Sequence, residues 1–171
     1  MKWFSIPIAL IILLISGCSE DESSPSDGTS SAEMTAIVDG ESWSTDNAMA
    51  LVASSAPKPF ISFQGYYGEG GTAQSQIVMI IDEHTIATPE TIEYPYIGGD
   101  SVEYYASYQI PSLGDEGAYV SIGGRLIIET YQGIGGTTRG TFQFTATNIY
   151  GDTVSVTDGQ FDMPIVESPT D

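Results

Sequence analysis

The sequence predicts one all-β domain, an antiparallel sandwich or open barrel, carried behind a cleaved leader and a polar tether. Three observations predict it. Thr141-Phe142-Gln143-Phe144-Thr145-Ala146-Thr147 alternates strictly between polar and apolar, the period-two mark of a strand with one face on a core. Asp39-Gly40 and Asp158-Gly159 flank alternating segments, as tight turns and bulges do. Glycine occurs 19 times and tyrosine ten times, and no long segment favours helix, the profile of a β-rich domain exported from the cytoplasm.

The chain opens with Lys2, then an unbroken apolar run from Trp3 to Ile15, then Ser16-Gly17-Cys18. The run is well short of the roughly 20 residues that a spanning helix needs, and it fits the apolar part of a cleaved signal with a basic flank. In order and spacing it resembles the signal peptide and lipobox of bacterial lipoproteins. That resemblance implies cleavage between Gly17 and Cys18, acylation of Cys18, and anchorage to the outer membrane by lipid. Cys18 is the single cysteine, so one chain can form no internal disulfide. Several acyl chains matter because each buried methylene contributes about 0.8 kcal/mol and one chain alone holds marginally. The expected boundaries are a leader over 1–17, lipidated Cys18 with its tether over 18–33, the β domain over 34–166 and a tail over 167–171.

Ser19 to Ser31 holds no large apolar residue, so the sequence predicts a disordered leash there. Its start, Ser19-Glu20-Asp21-Glu22, resembles the acidic export signal behind the lipid-bearing cysteine of surface lipoproteins in Bacteroidota. Removing the leader takes Lys2 with it. Lys58, Arg125 and Arg139 then stand against 23 acidic residues, a formal charge of −20. Nucleic acid and direct docking on anionic lipid both need basic surfaces, so this charge argues against each.

Met34 to Val38 alternates into Asp39-Gly40 and Ser42-Trp43-Ser44, which predicts an opening hairpin with Trp43 plugging the core. Ala48 to Ala53 reads as a strand or a helical turn, and Pro57-Lys58-Pro59 as a break. In Phe60 to Tyr66, Phe60 and Ser62 share one face, Ile61 and Phe63 the other. Gly68-Glu69-Gly70-Gly71-Thr72-Ala73 has the spacing of a dinucleotide-binding loop, but Gln76 to Asp82 behind it is β-branched and too short for the helix that motif requires. A glycine-rich hairpin loop is the reading. Ile77 to Ile81 predicts a central strand buried on both faces, and Ile92 to Tyr96, interrupted by Pro95, an edge strand. Val102 to Ile110 is a further strand, and Gly114-Asp115-Glu116-Gly117 a turn. Tyr119 to Ile122 and Leu126 to Tyr131 follow, bent at Gly123-Gly124. The end predicts a three-stranded meander: Thr141 to Thr147, a return through Val154 and Val156, and a third apolar face of Phe161, Met163 and Ile165.

Gly124-Arg125-Leu126-Ile127-Ile128, Arg139-Gly140-Thr141-Phe142-Gln143-Phe144-Thr145-Ala146 and Val154-Ser155-Val156-Thr157-Asp158-Gly159-Gln160-Phe161 together carry a family likeness, as does Met34-Thr35-Ala36-Ile37-Val38-Asp39-Gly40 with Trp43. The chain resembles a family of small β-rich lipoproteins of Bacteroidota built on a domain of unknown function. The likeness covers both ends of the domain, and its middle only in rhythm. It implies a shared β fold and a lipid anchor, and brings no catalytic residues.

Chemistry is sparse. His84 is the only histidine, and Tyr119-Val120-Ser121-Ile122-Gly123 lacks the first glycine of a nucleophile elbow. His84 with Asp82 or Glu83 does not make a zinc site on a regular strand, where adjacent residues face opposite ways. A pair of glycosidic carboxylates is defined by distance in space, and no spacing singles out two acids. Asp115-Glu116, or Asp152 with Asp158, offer oxygen ligands to calcium without the alternating acidic loop that it favours. No cofactor or metal is expected. Tyr66, Tyr94, Tyr96, Tyr104 and Tyr108 are the candidate ligand contacts, because outward tyrosine rings suit glycans or partner proteins. The expected function is a surface-displayed, non-catalytic binding module on a lipid anchor. A periplasm-facing accessory subunit and a weakly marked hydrolase are the rival classes.

Overall fold

A computed structural model describes residues 32–54, 59–68, 73–82, 86–98 and 101–168, with the side chains of 96–98 and 101–103 excepted. The leader, Cys18, the acidic residues 20–22, Lys58, the glycine-rich loop at 69–72, His84 and the last three residues lie outside the described residues.

Among the described residues eleven strands form: β1 (Glu33–Val38), β2 (Glu41–Thr45), β3 (Ala48–Ala53), β4 (Phe60–Tyr67), β5 (Ser75–Asp82), β6 (Glu90–Tyr94), β7 (Tyr96–Gly98), β8 (Ser101–Gln109), β9 (Ala118–Tyr131), β10 (Thr137–Thr147) and β11 (Thr153–Glu167). A 3-10 segment, Pro111–Gly117, breaks at Gly114 and leads into β9. Seven strands, β3, β4, β5, β8, β9, β10 and β11, pair in that order and close into a barrel. The domain is all-β as expected, and its ring is closed. Each strand runs antiparallel to the one before it. An odd number of alternating strands brings the first and last together pointing the same way, so the closing pair is parallel, with Ile165–Glu167 against Ala50–Val52. Closure leaves the ring without an open edge.

Two short excursions fill the places where ring neighbours diverge. β1 pairs with the first part of β11, on the edge opposite β10, and β2 pairs with β1. At the other end β6 lies on β9, and β7, beyond Pro95, on β8. The opening hairpin turns where its sequence says: Asp39 and Gly40 both have positive φ, 50° and 87°, the geometry that a two-residue turn of matching twist requires. Asp39 also ties this turn to β11, since its Oδ1 accepts from the Ser155 N–H at 2.8 Å. Trp43 is buried, as its place in the hairpin predicts.

The core follows the alternation. Ile77, Met79 and Ile81 of β5, Phe142, Phe144 and Ala146 of β10, and Phe161, Met163 and Ile165 of β11 all point inward. β4–β5 is an antiparallel hairpin, so no crossover helix follows the glycine-rich loop. Two sequence readings are corrected. β5 is fully buried on one face only: Val78 and Ile80 on the other are partly buried, because a barrel has one interior. The third strand of the C-terminal meander is also not separate. Asp158-Gly159 makes a bulge, with Asp158 at φ 51°, and β11 runs on through it. Both neighbours of β11 shift register at this point, and the meander is β9–β10–β11.

Candidate functional site

The up-and-down path gathers the ends of β1, β4, β8 and β10 and the starts of β2, β5, β9 and β11 at one mouth of the barrel. There a cleft of about 380 Å³ opens between Trp43, Tyr67, Tyr108 and Tyr119, with Asp39 and Glu41 on its wall. Tyr67, Tyr108 and Tyr119 sit at strand ends, where the next residues turn away and leave part of a ring uncovered, while Trp43 is buried in the middle of β2. Tyr67 is 48% exposed. The rings of Tyr108 and Tyr119 lie 6.3 Å apart at 37°. Tyr67 also walls a neighbouring cleft of about 410 Å³, which holds Glu33 and Asp46.

A buried polar chain holds this end in shape. The Trp43 Nε1–H donates to Ser75 Oγ at 2.8 Å, and Ser75 in turn hydrogen-bonds the Tyr108 side chain. Burial pushes the Tyr108 phenol above its ordinary range; the Ser75 bond pulls the other way, and the charges of Asp39 and Tyr119 add to the rise. Asn148 organises the adjoining turn. Its Nδ2 donates to the Glu116 carbonyl at 2.9 Å and to Asp152 Oδ2 at 3.1 Å, while its Oδ1 accepts from the Tyr150 and Asp152 N–H groups. Beside it stand exposed Val120, Ile149 and Tyr150, apolar surface on an acidic molecule.

The five tyrosines singled out from sequence do not form one surface. Tyr108 alone lines the cleft. Tyr104 faces inward and packs half-buried against the core. Tyr66 lies on the outer face of β4, where its hydroxyl donates to Gln64 Oε1. Tyr96 belongs to β7, its side chain outside those described. Tyr94 is a correction: it is 4% exposed and part of the core, because β6 turns Ile92 and Tyr94 together onto the inner side. Sequence reasoning missed Tyr119, Asp39 and Glu41 as cleft residues, and took Trp43 as core alone. Tyr119 and Glu41 share position at a strand end beside a turn, and Asp39 lies in the turn itself.

Among the described residues the Tyr94 hydroxyl has no hydrogen-bond partner, and burial raises its pKa well above the ordinary phenol range. The folded state therefore keeps a proton that the unfolded chain releases, and stability falls as pH rises past that range. Tyr94→Phe should stabilise the protein by about 1 kcal/mol at neutral pH by removing an unsatisfied buried group, and should flatten its alkaline loss. Urea unfolding at neutral and alkaline pH checks this; a variant less stable than the parent at neutral pH refutes it.

The calcium candidates are dispersed: Asp115 and Glu116 lie in the 3-10 segment, Asp152 in the turn held by Asn148, and Asp158 in the β11 bulge. Among the described residues no three His, Cys, Asp or Glu side chains group as metal ligands would, and no helix is long and apolar enough to cross a membrane. Compared with known proteins, the chain matches no family model, no curated protein and no solved structure.

Proposed function

We propose that this protein is a lipid-anchored envelope lipoprotein of the small β-rich family it resembles, displayed on the cell surface, whose barrel is a non-catalytic binding module. The observation that carries the binding role is the aromatic cleft at the mouth of an otherwise filled barrel. A ring of this strand number is wide enough for side chains to fill, or for one small ligand to enter at an end. The anchor rests on the order of Lys2, the apolar run and Ser16-Gly17-Cys18, and surface display on Glu20, Asp21 and Glu22. A glycan or a protein partner is the ligand expected of exposed tyrosine.

Protease treatment of intact cells tests the placement. The native protein should be shaved from outside, and Cys18→Ala should leave the membrane fraction almost completely. Replacing Glu20, Asp21 and Glu22 by their amides should leave the protein lipidated but protected. Protection of the native protein until the outer membrane is broken refutes surface display and favours a periplasm-facing accessory subunit.

A further inference from the structure

We propose that the barrel mouth binds a small organic cation, an alkylated ammonium group seated against Tyr67, Tyr108 and Tyr119 and held by the carboxylates of Asp39 and Glu41. This rests on reading the barrel as a binding module, and it names the charge class of the ligand.

Aromatic ring faces carry partial negative charge and attract an ammonium group, most strongly where water is displaced. Three tyrosines and Trp43 line this cleft, and its volume of about 380 Å³ suits a small molecule. Charge points the same way. Asp39 and Glu41 line this cleft, Glu33 and Asp46 line its neighbour across Tyr67, and neither has a basic side chain in its lining. The Asp39 carboxylate is held in place by the Ser155 N–H, so it need not be ordered when a ligand arrives. Its charge is felt at Tyr108, inside the space that a cation would occupy.

The side-chain donors of the lining are all neutral. The Trp43 N–H is committed to Ser75, leaving hydroxyl groups as the donors of the lining. An anion would meet carboxylates with nothing to neutralise it. A neutral sugar would use the rings but gain nothing from the field. The strongly negative chain also raises the local concentration of cations.

The test uses the protein extracted from the membrane in nonionic detergent, with Trp3→Phe so that Trp43 is its sole indole before and after the leader is cleaved. Tetramethylammonium chloride and choline chloride are titrated at constant ionic strength against sodium chloride, against maltose, and against the uncharged isostere of choline in which carbon replaces nitrogen. The ammonium ions should change Trp43 emission saturably, and the isostere should bind about tenfold more weakly. Glu41→Gln and Tyr67→Ala, both at exposed positions, should each weaken the ammonium response about threefold. Equal binding of choline and its isostere, or the same change with sodium chloride, overturns the cation assignment. A response to maltose with none to ammonium overturns it too, while leaving the binding module standing. Silence to every probe from a folded protein overturns both the cation and the mouth as a binding site.

Discussion

Phe161→Ala should remove about 4 kcal/mol of folding stability, as deletion of a buried phenylalanine side chain does where the site cannot collapse. Phe161 is 3% exposed. Its ring lies 5.4 Å from that of Phe63 on β4 and 6.5 Å from that of Phe142 on β10, centre to centre. Its backbone stands in register with Met34 on β1 and Gly140 on β10. One side chain thus joins strands from both ends of the sequence, and the cavity left by its loss is walled by ring strands that cannot move independently. Phe161→Leu keeps most of the volume and should lose about 1 kcal/mol. Urea unfolding followed by Trp43 emission measures both. An alanine variant within about 1 kcal/mol of the parent, at an unchanged denaturant slope, would show that the centre of the barrel is looser than its packing implies.

Such a centre was legible where physics is local. Alternation in β10, the Asp39-Gly40 turn and the inward Trp43 all follow from residues within a few positions of one another. Ring closure is of another kind: β3 and β11 meet across more than a hundred residues of chain, and nothing in either strand names the other. The bulge at Asp158-Gly159 shows an intermediate case. The same dipeptide serves a turn or a bulge, and the choice belongs to Phe142 and to the two strands flanking β11. The tyrosines failed for a reason of parity. Tyr104 and Tyr108 are four apart on β8 and share the inward face, Tyr66 takes the outward face of β4, and Tyr94 is turned inside with Ile92. Spacing tells which residues share a face, not which face is the interior. The cleft was least visible of all, because strand ends converge on it and no window of sequence contains it.

Gly140→Ala should cost about 3 kcal/mol, the upper part of the range for overpacking a filled core. A Cβ at this position would stand 2.0 Å from the Ile127 carbonyl oxygen and 2.7 Å from Cζ of Phe161. The ring can tilt; the carbonyl belongs to the β9–β10 ladder and cannot retreat without opening it. Gly140 and Phe161 are direct cross-strand partners, and one step along the same pair of strands the arrangement repeats reversed, with Phe142 opposite Gly159 and its ring 2.6 Å from where a Cβ would be. Each glycine is the floor on which the facing phenylalanine lies, which is how two bulky rings enter the narrow centre of a seven-strand barrel. Gly123→Ala, on β9 with open space around it, should be neutral or stabilise by about 0.5 kcal/mol. The decisive comparison is the double variant Gly140→Ala, Phe161→Leu. Removing the ring relieves one contact and leaves the carbonyl, so the pair should be less damaging than the sum of its single changes by about 1 kcal/mol. Strict additivity would mean that the ring does not rest on Gly140. Recovery of the whole deficit would mean that the Ile127 carbonyl yields, and that the β9–β10 ladder, which bears the close approach, is softer than a closed barrel should allow.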